Sequence, residues 1–186
     1  MVIQQLLAEA GTNDELAPTD ARGVDASGVE APADWGSLRS AETYTGYERT
    51  ENFASPGGVR PGQRHSYTAP AQLGLNHWAL SGDWTMGEAA TTLNTPNGRI
   101  VCRFHARDLH LVMGPAGPGT SVPFRVLIDG QPPGADHGTD VDDQGHGNVT
   151  QQRLYQLIRQ RGPITDRTFE ITFPDPGVQA YVFTFG

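Results

Sequence analysis

The sequence contains no lysine and a single cysteine, Cys102. One cysteine excludes an internal disulfide. It also excludes a C-x-x-C pair, so this chain cannot run dithiol redox chemistry by itself. A domain of ordinary size needs no disulfide, so the count leaves the compartment open. Basic residues are scarce: 13 arginines stand against 21 Asp and Glu, for a net charge of -8. Nucleic acid and anionic membrane surfaces both demand a basic patch, which argues against either as the main partner. No apolar run approaches the roughly 20 residues of a membrane span. The N-terminus lacks the basic and apolar regions of a signal peptide. The catalytic signatures G-x-S-x-G, H-E-x-x-H, G-x-G-x-x-G and the P-loop are all missing. No pair of carboxylates stands out for glycoside hydrolysis.

What the chain has in quantity is turn residues, 23 Gly and 14 Pro, between short alternating segments. Arg99 to Gly130 shows the pattern best. Ile100, Cys102 and Phe104 alternate with Val101, Arg103 and His105. Leu109, Leu111 and Met113 follow, then a Gly/Pro loop, then Phe124, Val126 and Ile128. A period of two means strands, each with one apolar face. These three are expected to form an antiparallel meander closed by the Asp129-Gly130 turn. Cys102, between Ile100 and Phe104, reads as a small core side chain. Further strands are expected around Tyr44–Arg49, at Leu75–Trp84, Ala89–Leu93, Arg153–Arg159, Phe169–Phe173 and Ala180–Phe185. The last, apolar on both faces, is expected to be central and well buried. Strands at this spacing, with turn signals between them, predict an all-β antiparallel sandwich. Phe183, Phe185, Phe169, Phe173, Leu111 and Val126 should share its core.

The first forty residues read differently. VIQQLLAEA (2–10) carries one apolar helical stripe, and Gly11 is a plausible stop. Residues 12–40 have the composition of a linker. Within it, Trp35 is expected to dock on the sandwich.

Two constellations could bind something. Asp136, His137, Asp140, Asp142, Asp143 and His146 crowd the loop 131–148. Asp140-x-Asp142-x-Gln144-Gly145 is similar to the start of a Ca²⁺ loop, but Gln144 and Gln151 stand at its fifth and twelfth positions. It reads as a solvated turn-rich loop, as a structural Ca²⁺ site built on Asp140 and Asp142, or as a His-containing transition-metal site. The other constellation is aromatic. Stacking rings with polar neighbours are what a sugar-binding sandwich offers. Trp84 is the first candidate, since Gly82-Asp83 places it at a bend where the ring can stay partly open. Trp78 in the apolar run WAL is the core-like alternative. Tyr47 and Arg49 are second-rank ligand-binding candidates. No catalytic residue is identified.

ETYTGYER, LNHWALSGDW, RFHARDLHLVMG, FRVLIDG, the G-x-D-V-D-x-x-G loop, RLYQLIR and AYVFTFG occur in this order. Together they resemble a known module: the carbohydrate-binding-module-like β-sandwich that follows the thioredoxin-like domain in DipZ-type disulfide-exchange proteins. The resemblance covers about residues 41–186 and implies a jelly-roll sandwich. It makes residues 1–11 the last helix of an upstream thioredoxin-like domain, the partner in the parent chain, and 12–40 the connection. It implies a non-catalytic accessory domain of a thiol–disulfide oxidoreductase, with the redox cysteines elsewhere in the parent. It also implies the extracytoplasmic face of a membrane-anchored protein, with no membrane contact by this segment and no cofactor beyond the Ca²⁺ alternative. The domain would present a glycan- or protein-binding surface. The competing readings are a positioning domain without a ligand, or a glycoside-acting or metal-dependent enzyme.

Overall fold

A computed structural model describes residues 32–186, which hold eleven strands and a single 3-10 turn at Gly134–Asp136. The expected helix at 2–10 lies outside the described residues. The strands are β1 (Thr43–Tyr44), β2 (Arg64–Tyr67), β3 (Trp78–Met86), β4 (Thr91–Leu93), β5 (Gly98–Phe104) and β6 (Asp108–Pro115). Then come β7 (Val122–Ile128), β8 (His146–Val149), β9 (Arg153–Arg159), β10 (Arg167–Phe173) and β11 (Val178–Phe185). Hydrogen-bonded neighbours run β8-β7-β10-β5-β3-β4-β11-β6-β9, with β2 on β3 and β1 on β11. Every strand pair is antiparallel. None of the helices among the described residues is long and apolar enough to cross a membrane.

The corner of this path is β3. Its first half, Trp78–Ser81, pairs with β5, while Trp84–Met86 pairs with β4. Between them Gly82 adopts φ +102, and a Cβ there would come 3.1 Å from Gly98 Cα. Glycine suits both the backbone angle and the close approach. The two halves of the path fold face to face, and aromatic rings meet across the gap. Phe169 of β10 contacts Phe183 of β11, Phe124 of β7 contacts Tyr155 of β9, and Trp84 of β3 contacts Phe173 of β10. This is an antiparallel β-sandwich, as the alternation predicts. All six expected core residues belong to it, five fully buried and Phe185 partly.

The expected meander is not there. β5 pairs with β10 and β3, β6 with β11 and β9, and β7 with β10 and β8. The chain crosses the core between β5 and β6, and again between β6 and β7. Alternation marks which side chains point inward; a strand across the core satisfies it as well as a neighbour does. β11 is central, between β4 and β6, but only one of its faces is covered. Phe183 and Ala180 are fully buried, while Tyr181, Val182 and Thr184 are half-buried.

Local signals elsewhere hold. Asp129 and Gly130 take φ 49 and 77, the left-handed pair of a tight hairpin turn. The loop 131–148 is less irregular than expected, since its end forms β8. Trp35 is 79% exposed and does not dock. Leu38 and Ser40 do: Leu38 packs on the core, and Ser40 Oγ accepts the His105 backbone N–H at 2.8 Å.

Candidate functional site

The two tryptophans do not supply a stacking face. Trp84 and Trp78 are both 0% exposed, which corrects the expectation of a partly open Trp84. The Gly82-Asp83 bend hands β3 from one half of the sandwich to the other rather than lifting it toward solvent. Trp84 Nε1–H donates to Ser81 O at 2.9 Å, and Trp78 Nε1–H to Glu51 O at 3.1 Å.

The second-rank candidates are surface residues, and one of them helps form a site. β1 is short, but it is pinned hard. Thr45 N–H donates to Tyr181 O, Thr45 Oγ1 to Ala180 O, and Thr91 Oγ1 to Thr45 O. Gly46 then passes so close to the β3–β4 turn that a Cβ would collide with Glu88 O and the Ala89 backbone. Tyr47 N–H donates to Gly87 O, and Glu48 N–H to Glu88 O. The turn that results folds Arg49 back over β1. Its guanidinium carbon lies 3.6 Å from the centroid of the Tyr44 ring. Cation–π stacking at an exposed site is worth about 0.5–1 kcal/mol. The Tyr44 hydroxyl donates to Glu42 Oε2 at 2.8 Å, and this bond to the carboxylate leads the causes that raise the phenol's pKa.

Tyr44 and Arg49 form a ridge with a groove on each side. One groove, of about 360 Å³, runs past Glu42, Glu51, Asn52 and Asn76. The other, of about 350 Å³, is lined by Gly46, Glu48, Glu88, Ala89, Tyr181 and Val182. Tyr47 is 37% exposed, set between Gly46 and Glu48 of the second groove. Carboxylates, amides, a guanidinium and a ring thus converge within a few residues. Tyr44 and Tyr181 are the residues that sequence reasoning did not single out. Their proximity depends on the β1–β11 pairing, which leaves no local signal.

The acidic loop is built for itself. Asp140 Oδ1 accepts from Arg153 Nη2 at 2.6 Å, and its Oδ2 accepts the Gln156 backbone N–H at 2.7 Å. Asp142 Oδ1 accepts the backbone N–H groups of His146 and Gln144. The bond from His146 leads the causes that lower its pKa. A cation at Asp140 would compete with the positive charge of Arg153. Among the described residues no group of three His, Cys, Asp or Glu could hold a metal ion.

Two further polar clusters are structural in form. His105 Nδ1 lies 2.6 Å from Asp166 Oδ1, but Ser40 Oγ meets the His105 backbone rather than its ring. Asp108, 2% exposed, is clamped between Arg107 and Arg159. Cys102 is buried, and burial pushes its thiol pKa far up, away from thiolate chemistry.

Comparisons with known proteins bear on the family of the sandwich. The model of a family described as thioredoxin like C-terminal domain matches residues 40–186. Protein DipZ of Mycobacterium bovis (strain ATCC BAA-935 / AF2122/97) is 28% identical over 145 residues. The Protein DipZ of Mycobacterium tuberculosis (strain CDC 1551 / Oshkosh) matches to the same extent. The matched segment is 78% of this chain but spans only 18% of each relative's length. Among solved structures, a family two carbohydrate esterase from Cellvibrio japonicus is similar at TM-score 0.45 and 15% identity, over 59% of this chain and 30% of its own. One from Clostridium thermocellum, in complex with cellohexaose, is similar at TM-score 0.40 and 11% identity, over 53% and 27%. With the family model covering the whole sandwich, the chain belongs to the thioredoxin-like C-terminal domain family, of the type found in Protein DipZ.

Proposed function

We propose that this domain is a non-catalytic accessory module of a thiol–disulfide oxidoreductase, and that it presents a glycan-binding surface at the Tyr44–Arg49 ridge. The parent would carry an upstream thioredoxin-like domain and stand at the extracytoplasmic face of a membrane, as the resemblance of the seven blocks implies. The observation that carries the binding proposal is the ridge itself. A phenol ring braced by a guanidinium at 3.6 Å separates two grooves, both lined by carboxylates and one also by the amides of Asn52 and Asn76. Rings take the apolar faces of sugars, and the polar groups around them take the hydroxyls. The non-catalytic part is supported by Cys102, whose buried thiol is held protonated.

The test is retention of the purified chain on a glycan array and on insoluble cell-wall polysaccharide. Retention is expected for the native chain and lost in Tyr44→Ala and Arg49→Ala at unchanged melting temperature. A folded chain retained by no glycan would leave a domain that only positions its neighbour.

A further inference from the structure

We propose that the outer face of the half-sandwich containing β11 is a platform for a neutral, linear β-linked polysaccharide. The chain would lie across the strands and begin in the groove beside Tyr44. This rests on the glycan reading above and extends it from one groove to a path four strands wide.

Register carries the proposal. Tyr44 pairs with Val182, Val182 with Val112, and Val112 with Leu154, on β1, β11, β6 and β9. Directly paired residues lie on the same face of a sheet. Their sequence neighbours Phe183, Leu111 and Tyr155 are fully buried, so the row points away from the core. Leu154, 39% exposed, is one of three large apolar residues counted as exposed among the described residues. At the other end, Tyr44 and Val182 line the groove that also contains Tyr181. The apolar row is therefore continuous with the candidate site.

What flanks the row favours a sugar. On one side Gln179 pairs with Thr92 and Gly114, and Gln152 lies against Gly114. Tyr181, the extra residue at a β-bulge, sets its hydroxyl 2.9 Å from Gln179 Oε1 and 3.3 Å from Gln152 Oε1. It holds both amides beside the row. On the other side stand Thr184 and His110, paired across strands, while Gln156, the next partner in that row, is buried. No Asp, Glu or Arg side chain belongs to these rows, in a chain of net charge -8. Charge is confined to the Tyr44 end, at Arg49, Glu48 and Glu88; from Val182 to Leu154 these rows offer neither an anionic nor a cationic polymer a counter-charge. A neutral sugar matches both features, with apolar ring faces for the row and hydroxyl edges for the amides. Adjacent strands are about 4.8 Å apart, close to the length of one sugar in an extended β-linked chain. Each strand then offers one sugar its contact. A protein partner would need about 800 Å² of contact for a stable complex, and a row one residue wide is narrow for that.

The probes are β-1,4-linked oligomers of glucose and of N-acetylglucosamine, from dimers to hexamers, titrated calorimetrically into the full chain. Affinity is expected to rise about tenfold or more from dimer to tetramer and then level off. Leu154→Asp and Leu154→Lys sit at an exposed position and should leave the fold intact. Both are expected to abolish the gain with length while leaving dimer binding near the native level. Tyr44→Ala should remove dimer and tetramer binding alike. Dimer binding that needs Tyr44, with no gain with length and no effect at Leu154, would overturn the platform and spare the groove. No binding by any oligomer, or binding indifferent to Tyr44, would overturn both. Preferential binding of charged oligosaccharides, or capture of a protein in place of sugar, would also overturn the platform.

Discussion

Replacing Trp84 by alanine should destabilise the sandwich severely. The indole is 0% exposed, meets Phe173 edge-on at 6.2 Å between ring centroids, and donates Nε1–H to Ser81 O at 2.9 Å. Truncating a buried aromatic costs about 3–5 kcal/mol, transfer and cavity terms together. Within that, the edge-to-face contact accounts for about 0.5–1.5 kcal/mol, and the unpaired Ser81 carbonyl for about 1–3 kcal/mol. At about 2–4 °C per kcal/mol for a chain of this length, the melting temperature should fall by roughly 6–20 °C. Urea unfolding followed by far-UV circular dichroism is the assay, with a lower midpoint and an unchanged slope expected. Trp84→Phe keeps a ring and loses the hydrogen bond, so its loss should be smaller. A loss below about 1 kcal/mol in Trp84→Ala would refute the packing argument and restore the ring to the surface.

Other perturbations test separate parts of the structure. Asp108→Asn should cost about 3–5 kcal/mol at neutral pH, since it leaves Arg107 and Arg159 facing a neutral group at a buried site. Burial raises the Asp108 pKa, but Arg159 and Arg107 together outweigh it and hold the carboxyl below the ordinary 3.8. Its contribution is thus fully present above that value and lost as pH falls through the depressed native pKa. Urea midpoints for native and Asp108→Asn chains should converge only in strong acid; convergence near pH 6 would refute the clamp. Gly82→Ala forces φ +102 on an L side chain and brings its Cβ to 3.1 Å from Gly98 Cα. Thermal melts should show a loss of about 1–3 kcal/mol, and an unchanged melting temperature would remove Gly82 as the corner. Cys102 should react with a thiol reagent only as fast as the chain opens; rapid labelling of the native state would put it outside the core.

How far the sequence led is clearest residue by residue. Alternation located β5, β6, β7 and β10 closely, because an inward set such as Phe169, Ile171 and Phe173 has no other use than a core. Asp129-Gly130 announced its turn, since both residues must take left-handed angles. Pairing was not legible, because inward side chains are identical for strands side by side and strands across the core. Trp84 shares parity with the buried Trp78 and Leu80, and that parity was the better guide. The Gly82-Asp83 bend pointed the other way because a corner and an exit look alike in one dimension. The Tyr44–Arg49 ridge was half visible. Arg49 was named, but its ring partner depends on Gly46 lying against Glu88, a contact between segments 42 residues apart in number only and joined by β1 pairing to β11. At Asp140 and Asp142 the Ca²⁺-like spacing was legible, but the contacts from Arg153 and from backbone N–H groups to Asp140 and to Asp142 Oδ1 were not.

The central claim is that ligand is held on the outer face at β1 and β11, away from the core and the acidic loop. A ¹H–¹⁵N shift map of the chain, titrated with the N-acetylglucosamine tetramer, tests it most directly. Saturable shifts should cluster at Gly46, Glu48, Tyr181 and Val182 and continue to Val112 and Leu154, while Trp84 and Gly145 stay still. Shifts confined to the 140–146 loop or to the opposite face at Arg99 and Glu170, or no saturable shift with any neutral oligomer, would contradict it.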